Sequence, residues 1–257
     1  MEPKLICLDI DGTLTRGIGG EPYAGAAEAL RRLRRRCPLR FVTNATSQPA
    51  RFIAQSLRSS GLLEDPAELV TPALTARRLL PPRGHDRGLL LAEEASRQDF
   101  LWFREDPDGG TVLLATEAHG FTVAGLQPAF RALLKGAAFY AAQRNRYYRK
   151  GADLWTDLGP IAAFLGYASG REAENLGKPS ALLFDAIASE AGVGRAQVVM
   201  VGDDAEFDAA GAVALGMQGV LVRTGKYRAG DEDEVTPRPS AVIDGVADLP
   251  RLLEALG

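Results

Sequence analysis

A chain of 257 residues, 46% hydrophobic and 25% charged, has the composition of an ordinary globular protein that can bury a substantial core in one or two domains. Its formal net charge of -3 gives no general attraction to nucleic acid, so a nucleic-acid-binding function is not expected. No apolar run approaches membrane-spanning length, and two carboxylates interrupt the apolar N-terminal stretch, so we expect a cytoplasmic protein with no membrane partner.

The first predicted element is a buried strand that ends in two acidic residues. Leu5 to Leu8 form a short apolar run, and Asp9 and Asp11 follow it two positions apart, so in extended chain their side chains point the same way. Gly12 permits a tight turn whose amides could face an anion, and Thr13 adds a hydroxyl. The same acidic pair could also be an ordinary turn.

A second strand follows, and the sequence pattern then changes. Residues 39–42 predict a strand that ends in Thr43 and Asn44, and a helix is expected from about 50 to 60. From about residue 73 to 171 the segments suggest a separate inserted α/β unit. Its predicted strands lie near 89–91, 111–115 and 137–141, and its predicted helices near 126–134 and 159–167.

The first pattern then returns. Lys178 opens a predicted helix over 181–191, and residues 197–202 form a strongly apolar strand that ends in Asp203 and Asp204. A helix over 206–215 and strands over 219–222 and 240–244 complete the chain. This alternation predicts an α/β fold with a doubly wound, Rossmann-like parallel-sheet core over 1–72 and 172–257, interrupted by an α/β insertion over 73–171.

Polar residues follow several of the apolar strands. Because parallel strands end at one edge of a doubly wound sheet, we expect these residues to lie close together. They are Asp9, Asp11, Thr43, Asn44, Asp203 and Asp204, and Lys178, at a predicted helix start, can join them. Carboxylate oxygens suit Mg²⁺, which keeps some water and so leaves room for a phosphate oxygen. Taken singly, each group also has an ordinary interpretation as a helix cap, a surface lysine or a loop.

This residue set predicts a phosphatase with a carboxylate nucleophile. Asp9 would attack phosphorus and form an aspartyl phosphate. Asp11 would protonate the departing oxygen and later deprotonate the attacking water, which requires a pKa above the usual value of about 4. Lys178 and the cation would neutralise the phosphoryl oxygens.

Four motifs occur in order along the chain. They are Asp9-Ile10-Asp11-Gly12-Thr13, Val42-Thr43-Asn44, Gly177-Lys178-Pro179 and Val201-Gly202-Asp203-Asp204-Ala205-Glu206-Phe207-Asp208. In order and spacing they resemble the motifs of the haloacid dehalogenase superfamily of phosphohydrolases. The insertion resembles the large cap of the NagD-type branch. Residues 146–148 and 222–228 are similar to the group of haloacid dehalogenase-like hydrolase domain-containing protein 2 and phospholysine phosphohistidine inorganic pyrophosphate phosphatase.

The resemblance implies specific roles for the motif residues. Mg²⁺ would be held by the Asp9 and Asp203 side chains and by the main-chain carbonyl of Asp11. Asp204 or Asp208 would act through water or by contacting those ligands. The phosphate-binding positions implied are Thr43, Asn44 and Lys178.

The inserted cap would set specificity for a small phosphorylated substrate, and it could also form the interface of a homodimer. The candidate specificity residues are Asn145, Arg146, Tyr147, Tyr148 and Asp157.

There are two alternatives to a phosphatase. One is a phosphotransferase of the same fold, and the other is a non-catalytic module that binds a phosphate ligand or a protein. A dinucleotide-binding oxidoreductase is disfavoured, because Gly17-Ile18-Gly19-Gly20 is not the dinucleotide fingerprint and does not directly follow the first strand.

Overall fold

The computed structural model of the chain describes residues 2–116, 121–150 and 153–256. The strands are β1 Leu5–Leu8, β2 Leu39–Val42, β3 Leu69–Val70, β4 Arg87–Leu91, β5 Arg104–Glu105, β6 Thr111–Leu114, β7 Ala138–Ala141, β8 Tyr147–Lys150, β9 Asp153–Thr156, β10 Glu174–Asn175, β11 Val198–Gly202, β12 Gln218–Val222 and β13 Ala241–Ile243. The α-helices are α1 Ala26–Arg34, α2 Ala50–Ser59, α3 Pro72–Leu79, α4 Gln127–Leu134, α5 Leu158–Ser169, α6 Ala181–Glu190, α7 Gly211–Ala214, α8 Asp231–Glu234 and α9 Leu249–Leu256. None of the helices described is long and apolar enough to cross a membrane.

The first of two units comprises Met1–Thr43, Arg51–Val70 and Lys178–Gly257. Its six-stranded sheet has the order β13-β12-β11-β1-β2-β3, and every pairing is parallel. Leu5 and Cys7 pack against Phe184 of α6, whereas Ile6 and Leu8 point to the opposite face and are also fully buried. Both faces of β1 are therefore covered, as its continuous apolar run predicts.

The sheet reverses its winding between β1 and β11. These two strands are neighbours in parallel register, with Leu8 opposite Val201. The Asp9 amide extends the pairing by donating to the Val201 carbonyl, at 2.8 Å. The residues that follow β1 and β11 therefore emerge side by side at the topological switch point, where ligands bind in open α/β sheets.

The second unit comprises Asn44–Ala50 and Thr71–Gly177. It contains a five-stranded parallel sheet in the order β10-β7-β6-β4-β5 and a separate antiparallel pair, β8 and β9. Its core packs α4 and α5 on the sheet, through residues that include Leu133, Leu165, Val112 and Phe139.

Three elements depart from the sequence expectation. The hairpin β8–β9 was not predicted, because β9 is exposed along its whole length and so carries no apolar alternation. The C-terminal helix α9 was also missed. The helix expected over 206–215 begins instead as a π-helix, Ala205–Ala210, and continues as α7.

Candidate active site

Three buried carboxylates meet at the carboxyl end of the first unit's sheet. Asp9 follows β1, Asp203 follows β11, and Asp208 lies in the π-helical turn after β11. One oxygen from each lies within 4.8 Å of the others, and each residue keeps at most 6% of its surface exposed. Isolated buried charges are costly, so this cluster requires positive charge nearby.

Lys178 supplies one positive charge. Its Nζ lies 2.5 Å from Asp9 Oδ1 and 2.7 Å from Asp208 Oδ1, and the residue is 3% exposed. One ammonium leaves the three carboxylates with an excess of negative charge. The oxygen-only donor set and this excess of negative charge fit a divalent hard cation such as Mg²⁺, which Asp9 and Asp203 could hold while Asp208 binds Lys178.

The clustering shifts the pKa values of these groups. Burial, the Asp9 carboxylate and the Asp208 carboxylate raise the pKa of Asp203 well above its usual value. Burial raises the pKa of Asp208 to about 7, against the opposing effect of Lys178. Burial alone would lower the pKa of Lys178, but Asp208 and Asp9 raise it above the ordinary lysine value. Lys178 is therefore a cation at neutral pH.

Glycines allow the carboxylates to approach the backbone this closely. Gly12 has a φ of +89°, and a Cβ there would lie 2.1 Å from Asp203 Oδ2. A Cβ on Gly202 would lie 2.0 Å from Asp208 Oδ2. The glycine in each motif is thus required by contact with a carboxylate, and Gly12 is required by its left-handed backbone as well.

Asp204 has a different environment from Asp203. Its Oδ1 accepts hydrogen bonds from the amides of Glu206, at 3.1 Å, and Phe207, at 2.9 Å. Its Oδ2 lies 3.2 Å from Lys226 Nζ. The helix-capping interpretation therefore applies to Asp204, whereas Asp203 belongs to the carboxylate cluster.

Asp11 lies at the surface beside the cluster. The residue retains exposed surface, yet the surrounding protein desolvates its carboxyl group, and this effect together with the Asp9 carboxylate raises the pKa of Asp11. Lys226 and a hydrogen bond from the backbone of Gly17 oppose the shift. The net direction favours the protonated acid.

Thr43 and Asn44 fall in different units. Thr43 is buried at the end of β2, and its amide donates to the Val70 carbonyl at 3.1 Å. Asn44 belongs to the second unit, where its Nδ2 donates to Asn145 Oδ1 at 3.1 Å. Of the residues expected from the sequence, the structure thus brings together Asp9, Lys178, Asp203 and Asp208.

The candidate specificity residues of the second unit differ in exposure. Asp157 is buried, accepts hydrogen bonds from the Leu158 amide and the Gln143 side chain, and caps α5. Asn145 is held by Asn44. Arg146 and Tyr147, at the start of the hairpin, are exposed.

The loop after β12 was not predicted to be part of the site. Thr224 Oγ1 donates to the Gly12 carbonyl at 2.5 Å, and the Lys226 amide donates to Asp203 Oδ2 at 2.7 Å. The strand-end argument applied to β1 and β11 could have found this loop, because residues 219–222 are an equally apolar strand.

Two family models match the chain. The model described as haloacid dehalogenase-like hydrolase matches residues 6–101, and the model described as HAD-hydrolase-like matches residues 175–249. The matched segments contain all the residues of the carboxylate cluster and Lys178.

Whole-length relatives agree with these matches. Haloacid dehalogenase-like hydrolase domain-containing protein 2 from Homo sapiens is 37% identical over 238 residues, which cover 92% of this chain and 90% of that protein. Phospholysine phosphohistidine inorganic pyrophosphate phosphatase from Bos taurus is 34% identical over 253 residues, covering 96% and 93%. The structure of a glycerol phosphate phosphatase from Mycobacterium tuberculosis in complex with magnesium is similar with a TM-score of 0.81 and 26% identity, covering 98% of this chain and 78% of that one.

The fold, the strand-end carboxylates and these similarities define a hydrolase with a doubly wound α/β core and an inserted α/β cap domain. The chain belongs to the haloacid dehalogenase superfamily and is a phosphatase. Its fold is similar to that of NagD from E. coli, with a TM-score of 0.83 and 24% identity, covering 96% of this chain and 98% of that one. The expectations for fold class and enzyme class are confirmed.

Proposed function

We propose that this phosphatase is magnesium-dependent and hydrolyses a small phosphorylated substrate through an aspartyl phosphate on Asp9. The observation that carries the proposal is the buried cluster of Asp9, Asp203 and Asp208, in which Asp9 and Asp208 contact the Lys178 ammonium. The cluster combines a carboxylate nucleophile with a surplus of negative charge that a divalent cation would neutralise.

In the first step, an Asp9 carboxylate oxygen attacks phosphorus, and the bond between phosphorus and the leaving oxygen breaks. Asp11, whose raised pKa favours its acid form, donates its proton to that oxygen. In the second step, water attacks the phosphorus, Asp11 takes a proton from it, and inorganic phosphate leaves with Asp9 restored.

Charge neutralisation is the main task of the other groups. Lys178 carries a permanent positive charge at the Asp9 carboxylate, so it lowers the repulsion between this anion and an anionic phosphate. When bound, a magnesium ion held by Asp9, Asp203 and the main-chain carbonyl of Asp11 would screen the phosphoryl oxygens. Asp208 holds Lys178 in place, and we assign Thr43 and Asn44 to phosphate binding.

The second unit is proposed to recognise the leaving group. Arg146 and Tyr147 are the candidate contacts, because they are exposed whereas Asp157 is used to cap α5. The names of the relatives point to a phosphate on nitrogen, on a diphosphate or on a small alcohol. A cytoplasmic location and a homodimer through the cap remain predictions. Leu154 and Trp155 of β9 are exposed, which is compatible with a homodimer.

The test is phosphate release from a panel of phosphoamino acids, pyrophosphate, glycerol phosphate and an aryl phosphate. We expect chelator to abolish turnover and Mg²⁺, but not Ca²⁺, to restore it, because Ca²⁺ coordinates more loosely. Asp203→Asn should lose activity at least about 100-fold, whereas Asp233→Asn, at an exposed aspartate of α8, should match the wild type. Full turnover in excess chelator would contradict the metal dependence.

A further inference from the structure

The loop that follows β12, residues 223–227, contacts the two turns that carry Asp9 and Asp203. We call it the β12 loop. Thr224 Oγ1 donates to the Gly12 carbonyl at 2.5 Å, in the turn after β1. The Lys226 amide donates to Asp203 Oδ2 at 2.7 Å, in the turn after β11. The loop thus joins two segments that are distant in sequence.

The backbone of the loop fits between these turns without space for a side chain. Gly225 has a φ of +61°, and a Cβ there would lie 2.0 Å from Asp203 Oδ2 and 2.5 Å from Gly12 Cα. The Gly225 amide donates to the hydroxyl of Tyr23 at 3.2 Å, which gives the loop a third attachment. Close contact and hydrogen bonds therefore define the position of Asp203 relative to Gly12.

We propose that the β12 loop positions the Asp203 carboxylate for the cation, with Thr224 as its main positioning residue. Neighbouring carboxylates repel each other, so without a fixed frame Asp203 would move away from Asp9 when no cation is bound. The Lys226 amide occupies one side of Oδ2 and fixes the orientation of the carboxylate, and Thr224 anchors the loop to the turn beside Asp9. Partners that orient a ligand in this way reduce the reorganisation needed when a metal binds. The inference rests on the proposed function, because it assumes that a divalent cation binds there.

The Lys226 side chain has a smaller part in this arrangement. Its Nζ lies 3.2 Å from Asp204 Oδ2 and 56% of the side chain is exposed, so the ammonium pairs with Asp204, outside the carboxylate cluster. The main-chain amide of Lys226, which any residue at this position would provide, makes the contact with Asp203. Lys226→Met should therefore change cation binding less than loss of the Thr224 anchor does.

The test is calorimetric titration of metal-free protein with MgCl₂, together with thermal melting in the absence of metal. For Thr224→Val, which keeps the shape and removes the donor, we expect the Mg²⁺ dissociation constant to rise about tenfold. Thr224→Ser, which retains the hydroxyl, should restore binding to within about threefold of the wild type. Arg228→Ala, at an exposed cation just beyond the loop, is the matched control and should bind like the wild type.

The outcomes separate the two proposals. If the wild type binds Mg²⁺ and Thr224→Val binds it equally well, the positioning role is wrong and the proposed function stands. If the wild type binds no Mg²⁺, both are wrong. An equal loss in the valine and serine variants would also overturn the role of the hydroxyl.

A milder variant covers the case in which Thr224→Val does not fold. Tyr23→Phe removes only the oxygen that accepts the Gly225 amide, and we expect it to weaken Mg²⁺ binding by roughly threefold to tenfold with melting unchanged in metal-free protein. Unchanged Mg²⁺ affinity in this variant would overturn the inference.

Discussion

Lys178 and Asp208 show how a single residue depends on its neighbours in this site. Both are fully enclosed by protein, and each would be unfavourable as a charge without the other. Lys178 also contacts Asp9, so the ammonium that stabilises the carboxylate cluster is the same group that would meet the substrate phosphate. Removing any one of these charges therefore changes the electrostatic stabilisation of all the others.

The raised pKa values of Asp203 and Asp208 predict how stability depends on pH. Folded-state values above the unfolded value of about 3.9 mean that their stabilising contribution is present at low pH and is lost as the pH rises, towards about 7 for Asp208. A bound cation favours the ionised carboxylates and offsets this loss. We therefore expect Mg²⁺ to raise the melting temperature more at pH 8 than at pH 5.5, by an additional 5 °C or so.

The check is differential scanning fluorimetry across that range with and without Mg²⁺. Asp208→Asn cannot ionise, so the melting temperature of the metal-free variant should vary less with pH than that of the wild type. A stabilisation by Mg²⁺ that is the same at pH 5.5 and pH 8 would contradict the placement of the cation at the carboxylate cluster.

At the scale of elements, the carboxylates of the site follow buried strands, which the sequence predicts. The hairpin and the π-helical turn were not predicted. β1 and β11 are continuous apolar runs, so both the strands and the positions of Asp9 and Asp203 at one edge could be predicted. Strand β9 is exposed along its whole length, so it has no buried face to produce a pattern. The Asp208 turn begins as a π-helix, and Asp208 packs closely against Gly202; hydrophobic periodicity reports neither feature.

The hairpin gives a prediction about specificity. Tyr147 begins β8 and is 54% exposed, so Tyr147→Ala should change relative rates among substrates with different leaving groups by roughly tenfold, while the rate with a small aryl phosphate changes little. Tyr167→Ala, at a 95% exposed tyrosine of α5, is the control and should leave all rates unchanged. Steady-state kinetics on the panel provides the measurement. Equal losses on every substrate would show damage to the common site instead.

At the scale of the whole molecule, the site exists only when distant parts of the chain have come together. Asp9 and Lys178 are 169 positions apart in sequence, and β1 pairs with β11 although the second unit lies between them in the chain. The sequence predicts this convergence because parallel α/β sheets follow few topologies. It does not predict distances, so neither the position of Asp204 outside the carboxylate cluster nor the contacts of the β12 loop could be predicted.

The central claim is covalent catalysis by Asp9, and the most direct test uses Asp11→Asn with an aryl phosphate. An aryl leaving group departs without a proton, so the first step should persist, whereas hydrolysis of the aspartyl phosphate lacks its base and should slow by roughly 10²–10⁴-fold. Rapid-quench mass spectrometry should then find phosphate on Asp9, with a burst of about one phenol per active site. A variant that turns over with no burst and no phosphate on Asp9 would contradict the account.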